Sequence, residues 1–130
     1  MTQYHQGEST KNTGSGAKTH AQRDKILANY GGFFVRPKLD KEGGKEERTT
    51  TRGKGAFVKV RVRKALYANV VSKDGKIKKA KITNVSSSPA NRHFARENLV
   101  TKGAIVETEL GKAKITSRPS QHGVVNAVLV

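Results

Sequence analysis

A chain of 130 residues holds one modest core with extensions, and 26 Lys and Arg against 10 Asp and Glu leave a formal charge of +16 that favours a polyanionic partner. It contains no apolar run of about 18 residues and no amphipathic helix with a bulky apolar face, which disfavours a membrane surface and leaves nucleic acid. The absence of Cys excludes a disulfide framework and a thiolate zinc site and points to a cytosolic protein.

From Met1 to Lys25 only Met1, Tyr4, Ala17 and Ala21 are hydrophobic, so this stretch cannot offset the entropy of ordering and is expected to order only on a partner. Met1 to Ser9 lacks the apolar segment of a secretory signal. Ile26, Leu27 and Tyr30 fit one side of a short helix ended by Gly31 and Gly32, followed by Phe33, Phe34 and Val35 as a docking cluster. Asp40 to Thr51 is charged and Gly-containing and reads as a mobile loop.

The folded core is expected from about Gly55, where β-branched residues begin to recur at strand spacing. Between Phe57 and Arg63 the chain alternates, so that Val58, Val60 and Val62 form a core face and Lys59, Arg61 and Arg63 a cationic rail. Ala65 to Val71 is apolar on both sides and predicts a strand covered on each face. Lys73, Asp74, Gly75 and Lys76 supply a hairpin turn. The returning strand, Lys76 to Val85, carries Lys76, Lys78, Lys79 and Lys81 on both faces, which predicts a bulge or a partly exposed edge.

Ser88 and Pro89 read as the cap and first position of a short helix through Asn91, Arg92, Phe94 and Arg96, ending near Asn98. Ala104 to Leu110 and Ala113 to Arg118 read as a hairpin turning at Gly111 and Lys112, a register that sets Glu109 opposite Lys114. A turn from Pro119 to Gly123 precedes a closing strand, Val124 to Val130. Short strands at this spacing predict a mainly β fold, a small barrel or sandwich with one short helix.

The segment from Lys59 to Lys81 is the most informative, with nine cations against one anion, Asp74. A solvated face is the ordinary reading of a charge run. Like charges about 7 Å apart on one strand face repel unless phosphates intervene, so this density favours RNA contact. Gly14, Ser15, Gly16, Ala17, Lys18 and Thr19 only superficially resemble a phosphate loop, because Ala17 stands where Gly is required and no strand precedes it. Glu107 and Glu109 suit a cross-strand ion pair better than acid and base chemistry. His5, His20, His93 and His122 match no metal-ligand spacing, and no nucleophile signature occurs. Tyr30, Phe33 and Phe34 beside Arg36 and Lys38, and His93 and Phe94 between Arg92 and Arg96, could stack on bases, though core packing is the plainer role for the aromatic rings.

Lys102 to Ala113, Thr116 to Pro119, Gly123 to Leu129 and Asn91-Arg92-His93 with the preceding Pro89 and Ala90 resemble the small-subunit ribosomal protein family called S-eight-e, continuously from about Arg52. Lys11, Thr13, Gly14 and Gly16 resemble its N-terminal signature, interrupted here by Ser15. The resemblance implies a non-enzymatic constituent of the small ribosomal subunit, of the archaeal or eukaryotic type, located in the cytoplasm. It implies a β-barrel body, 52–130, and an extended, irregular basic arm with a charged loop, 1–51. Its partners would be small-subunit rRNA and neighbouring ribosomal proteins, with no cofactor or metal. The candidate RNA contacts are Lys11, Lys18, His20, Arg23, Arg36, Arg52, Lys54, Lys59, Arg61, Arg63, Lys64, Lys76, Lys78, Lys79, Lys81, Arg92, Arg96 and Arg118. A DNA-compacting chromatin protein would share the charge but should present a regular groove-facing element, and an RNA-modifying enzyme would need a pocket with perturbed acid or base groups.

Overall fold

A computed structural model describes residues 2–4, 10–18, 29–41 and 44–130. It divides into two compact units, Met1–Phe34 and Val35–Val130. In the first, strand β1 (Thr2–Tyr4) pairs antiparallel with β2 (Tyr30–Phe33). Tyr30, Gly31 and Gly32 are therefore in a strand rather than at the end of a helix, while Ile26 and Leu27 fall outside the described residues. Thr10 bridges to Lys18, and the Lys11 amide donates to the Ala17 carbonyl at 2.8 Å. This small loop turns at Gly14 and Gly16, whose φ angles of 74° and 67° favour glycine.

The second unit is built on a closed five-stranded barrel. Its strands are β6 (Tyr67–Val71), β7 (Ile77–Ser87), β8 (Ile105–Thr108), β9 (Gly111–Ile115) and β10 (Asn126–Leu129), hydrogen-bonded in the order β10-β6-β7-β8-β9 and closed between β9 and β10. All pairs are antiparallel except β6 with β10, which is parallel. A barrel this narrow leaves little interior volume. Small residues accordingly point inward: Ala68, Ala80, Ala113 and Ala127 share the buried core with Val70, Ile82, Val106 and Ile115. Buried Ser117 joins the closing strand to the segment before it, its hydroxyl donating to the Val124 carbonyl at 3.0 Å and accepting from the Asn126 amide at 2.9 Å.

A three-stranded sheet in the order β3-β5-β4 completes the unit, from β3 (Lys38–Leu39), β4 (Glu47–Arg52) and β5 (Val58–Ala65). Part of the segment expected as a mobile loop, Asp40 to Thr51, is thus a strand. Its β-branched run Thr49, Thr50 and Thr51 faces Arg61, Val60 and Lys59 across the ladder. Between β4 and β5 the chain closes a turn in which the Gly53 amide donates to the Phe57 carbonyl at 2.6 Å. Gly55 and Ala56 take φ angles of 66° and 61° there, a conformation costing a non-glycine residue about 1 kcal/mol.

Several local expectations are corrected. Ala65 to Val71 is not one strand covered on both faces: β5 ends at Ala65, Leu66 is buried between strands, and Tyr67 and Asn69 of β6 are exposed. The short helix α1 is Arg92–Arg96, and its cap is Asn91, not Ser88, because the Asn91 carboxamide accepts from the His93 amide at 2.9 Å. It ends at Glu97, beside the expected Asn98. The β8–β9 turn lies at Glu109 and Leu110, two residues earlier than expected, with Thr108 paired to Gly111. Lys114 therefore opposes Ile105, and Glu107 opposes Lys112. The Pro119 to Gly123 turn is a second short helix, α2 (Pro119–His122), ended by Gly123 at φ 73°. The hairpin turn at Lys73 to Lys76 forms as expected, with Gly75 at φ 77°, and β7 carries the expected irregularities, with register shifts against β8 on either side of Asn84.

Candidate nucleic-acid interface

Strand β5 alternates as its sequence dictates, but only one end of its apolar face is core. Val62 is 3% exposed, whereas Val60 and Val58 are 38% and 53% exposed. Gly123, just after α2, packs on Val60, and a Cβ there would lie 2.9 Å from Val60 Cγ1. On the opposite face Lys59 and Arg63 are exposed and Arg61 is half-buried. The Arg61 Nε is buried without a hydrogen-bond partner, an unsatisfied donor at the centre of the cationic row. Arg63 Nη1 lies 3.5 Å from Glu47 Oε1, an exposed pair that contributes little, and Lys64 Nζ lies 3.6 Å from the mostly buried carboxylate of Asp40.

Strand β7 presents its cations from the barrel wall. Lys79 and Lys81 alternate with buried Ala80 and Ile82, so both project outward beside Asn69 and Tyr67 of β6. Lys76 and Lys78 are exposed near the β6–β7 turn. Arg92 and Arg96 sit four residues apart in α1, both exposed and on one side. Arg118 is exposed at the cap of α2, and Arg36 lies 3.5 Å from Glu97. Arg52, Lys59, Lys76, Lys78, Lys79, Lys81, Arg92, Arg96 and Arg118 form no ion pair among the described residues. Lys54 lies in the β4–β5 turn. In the first unit Lys11 and Lys18 are exposed on the small Gly-rich loop, while His20 and Arg23 lie outside the described residues.

The other constellations resolve differently. Glu107 accepts from the Ser86 hydroxyl at 2.9 Å, and Glu109 sits in the turn, so the expected ion pair with Lys114 does not form. Phe94 is half-buried, but Tyr30 and Phe34 are not core: they are 42% and 66% exposed. Among the described residues no group of three or more His, Cys, Asp and Glu could hold a metal, and no helix is long and apolar enough to cross a membrane.

Arg48, Tyr67 and Asn69 were not singled out from the sequence. With Glu46, Lys79, Val124 and Val125 they line a cleft of about 130 Å³. Glu46 accepts from the Tyr67 amide at 3.2 Å and pairs with Arg48 at 3.1 Å. Lys79 Nζ lies 4.4 Å from the centre of the Tyr67 ring, and the Asn69 carboxamide donates to Asn126 at 3.1 Å. The signal for Arg48 was its place in the Thr-rich β4, which as a strand holds an arginine in place. The role of Tyr67 depended on the end of β5 at Ala65, which the unbroken apolar run concealed.

The family model described as Ribosomal protein S8e matches residues 5–130. Among curated proteins, the small ribosomal subunit protein eS8 of Pyrobaculum islandicum is 42% identical over 131 aligned positions, covering 100% of this chain and 98% of the relative. The eS8 of Sulfurisphaera tokodaii is 43% identical over 89% of each chain. That of Methanococcus maripaludis is 53% identical over 66% of this chain and 68% of its own.

Proposed function

The chain belongs to the S8e family of ribosomal proteins, and from that premise we propose that it is a structural, non-enzymatic constituent of the small ribosomal subunit that binds rRNA through phosphate contacts. The observation that carries the phosphate reading is the set of cations on β5 and β7 that have no carboxylate partner among the described residues. Between Glu47 and Asp74 the sequence contains no acid at all. Such an array repels itself in the free protein and releases counterions from RNA on binding, so the same charges weaken one state and stabilise the other. Lys59, Arg61 and Arg63 on β5, Lys76 to Lys81 on β7, and Arg92 and Arg96 on α1 supply most of the contacts. Lys11, Lys18, His20 and Arg23 of the N-terminal arm add to them. In this reading the protein acts in the cytoplasm as part of the ribosome, beside other ribosomal proteins.

The test is a salt titration of the triple variant Lys76→Gln, Lys78→Gln, Lys81→Gln against small-subunit rRNA. These side chains are exposed and form no ion pair among the described residues, so the melting temperature should stay within the range of ordinary surface changes. Losing three phosphate contacts should make the slope of log K against log salt shallower by about 2 to 3 units. An unchanged slope would remove β7 from the interface, and a flat titration of the parent protein would end the phosphate reading.

A further inference from the structure

We propose that Phe57, at the β4–β5 turn, stacks on an unpaired base of small-subunit rRNA, an inference that rests on the RNA-binding reading above. Phe57 is 59% exposed, just before the strand in which Val58 and Val60 are also exposed on the opposite side. The turn fixes the backbone that carries the ring: the Phe57 carbonyl accepts from the Gly53 amide, and a Cβ on Gly53 would sit 3.4 Å from that carbonyl and 3.9 Å from the Phe57 Cβ. Gly55 and Ala56 are left-handed, a conformation glycine takes freely and Ala56 at a cost that a longer, looser loop would not carry.

The surroundings identify the partner. Arg52 and Lys54 precede the ring in sequence and Lys59 follows it, with Lys59 Nζ 5.8 Å from the ring centre. No acid occurs from Arg48 to Lys73, so the segment that carries this exposed planar apolar group has cations and no negative side chain. A partner complementary to both must be polyanionic and offer a flat apolar face. Duplex RNA offers phosphates, but its base faces are covered by their neighbours, whereas loops, bulges and junctions expose them. An acidic protein would match the charge but gives no reason for an aromatic ring at this position over any other apolar side chain.

The chain contains no Trp, so Phe57→Trp introduces a single indole at the proposed contact. Titration with a transcript of Pyrobaculum islandicum small-subunit rRNA should quench its emission, and a regular RNA duplex bound to the same extent at low salt should not. Phe57→Leu keeps the apolar character and every cation. It should weaken rRNA binding by about 10- to 100-fold with an unchanged salt slope and an unchanged melting temperature, and Phe57→Tyr should restore affinity. Salt-dependent binding with a silent indole, or full affinity in Phe57→Leu, would overturn the stacking contact and leave the phosphate reading intact. Absence of salt-dependent binding by the parent protein would overturn both.

Discussion

Strand β5 and the Lys79 to Ile82 stretch of β7 carry the same pattern, apolar residues alternating with cations, yet the fold uses them differently. In β7 the residues between the outward lysines, Ala80 and Ile82, are each 2% exposed inside the closed barrel. In β5 the equivalent row is buried at Val62 and opens to solvent at Val60 and Val58. Closure makes the difference, because a barrel wall has one side that must be core along its length. A strand outside the barrel, paired with β4 and β3 and met by α2 along only part of its length, has no such obligation. Alternation therefore locates two faces without saying that either is buried. Where the apolar face stays exposed beside unpaired cations, surface recognition explains it better than stability does.

This contrast can be broken first at its strongest point, the barrel interior. Ile82→Ala removes a buried side chain from a narrow core with little room to collapse, and should cost about 2 to 5 kcal/mol by thermal or denaturant melt. A loss below about 1 kcal/mol would mean that the wall does not enclose a tight core. The next effect tests how α2 meets β5. Gly123→Ala should destabilise by about 1 to 3 kcal/mol, since φ is 73° and the new methyl would approach Val60 Cγ1 to 2.9 Å. The companion substitution Val60→Ala should relieve part of that cost, a coupling that a double-mutant cycle measures. Ser117→Ala should cost about 1 to 3 kcal/mol, because it leaves the Asn126 amide without its acceptor.

Much of the barrel was legible because turn chemistry and alternation act within a few residues. Asp74-Gly75 marks the β6–β7 hairpin, and the segments that form β7, β8, β9 and β10 each read as strands. The β8–β9 turn was misplaced because a glycine was assigned to the first loop position; Gly111, at φ 124°, instead pairs with Thr108 at the start of β9. β4 is not legible because its charged, Thr-rich sequence lacks an apolar face: its hydrogen bonds come from β5, the next strand in the chain. The cationic residues of the candidate interface were legible from composition. Which of them lack carboxylate partners was not, since that depends on where Asp40, Glu46, Glu47 and Glu97 are placed by the fold.

The smallest expected effect discriminates best between the two kinds of strand. Val58→Thr keeps β-branching and nearly the same volume, so strand propensity and shape are held constant while a methyl becomes a hydroxyl. At a 53% exposed position that hydroxyl remains hydrated, and the melting free energy should move by less than about 0.5 kcal/mol. The same change at Val62, 3% exposed, buries the hydroxyl and should cost about 1 to 3 kcal/mol. Both substitutions leave the cations untouched, so the salt slope of RNA binding should be the same in each at temperatures where each is folded. Equal melting losses at the two positions would show that β5 is buried along its whole apolar face. The exposure of Val58, and with it the contrast between β5 and β7, would then be wrong.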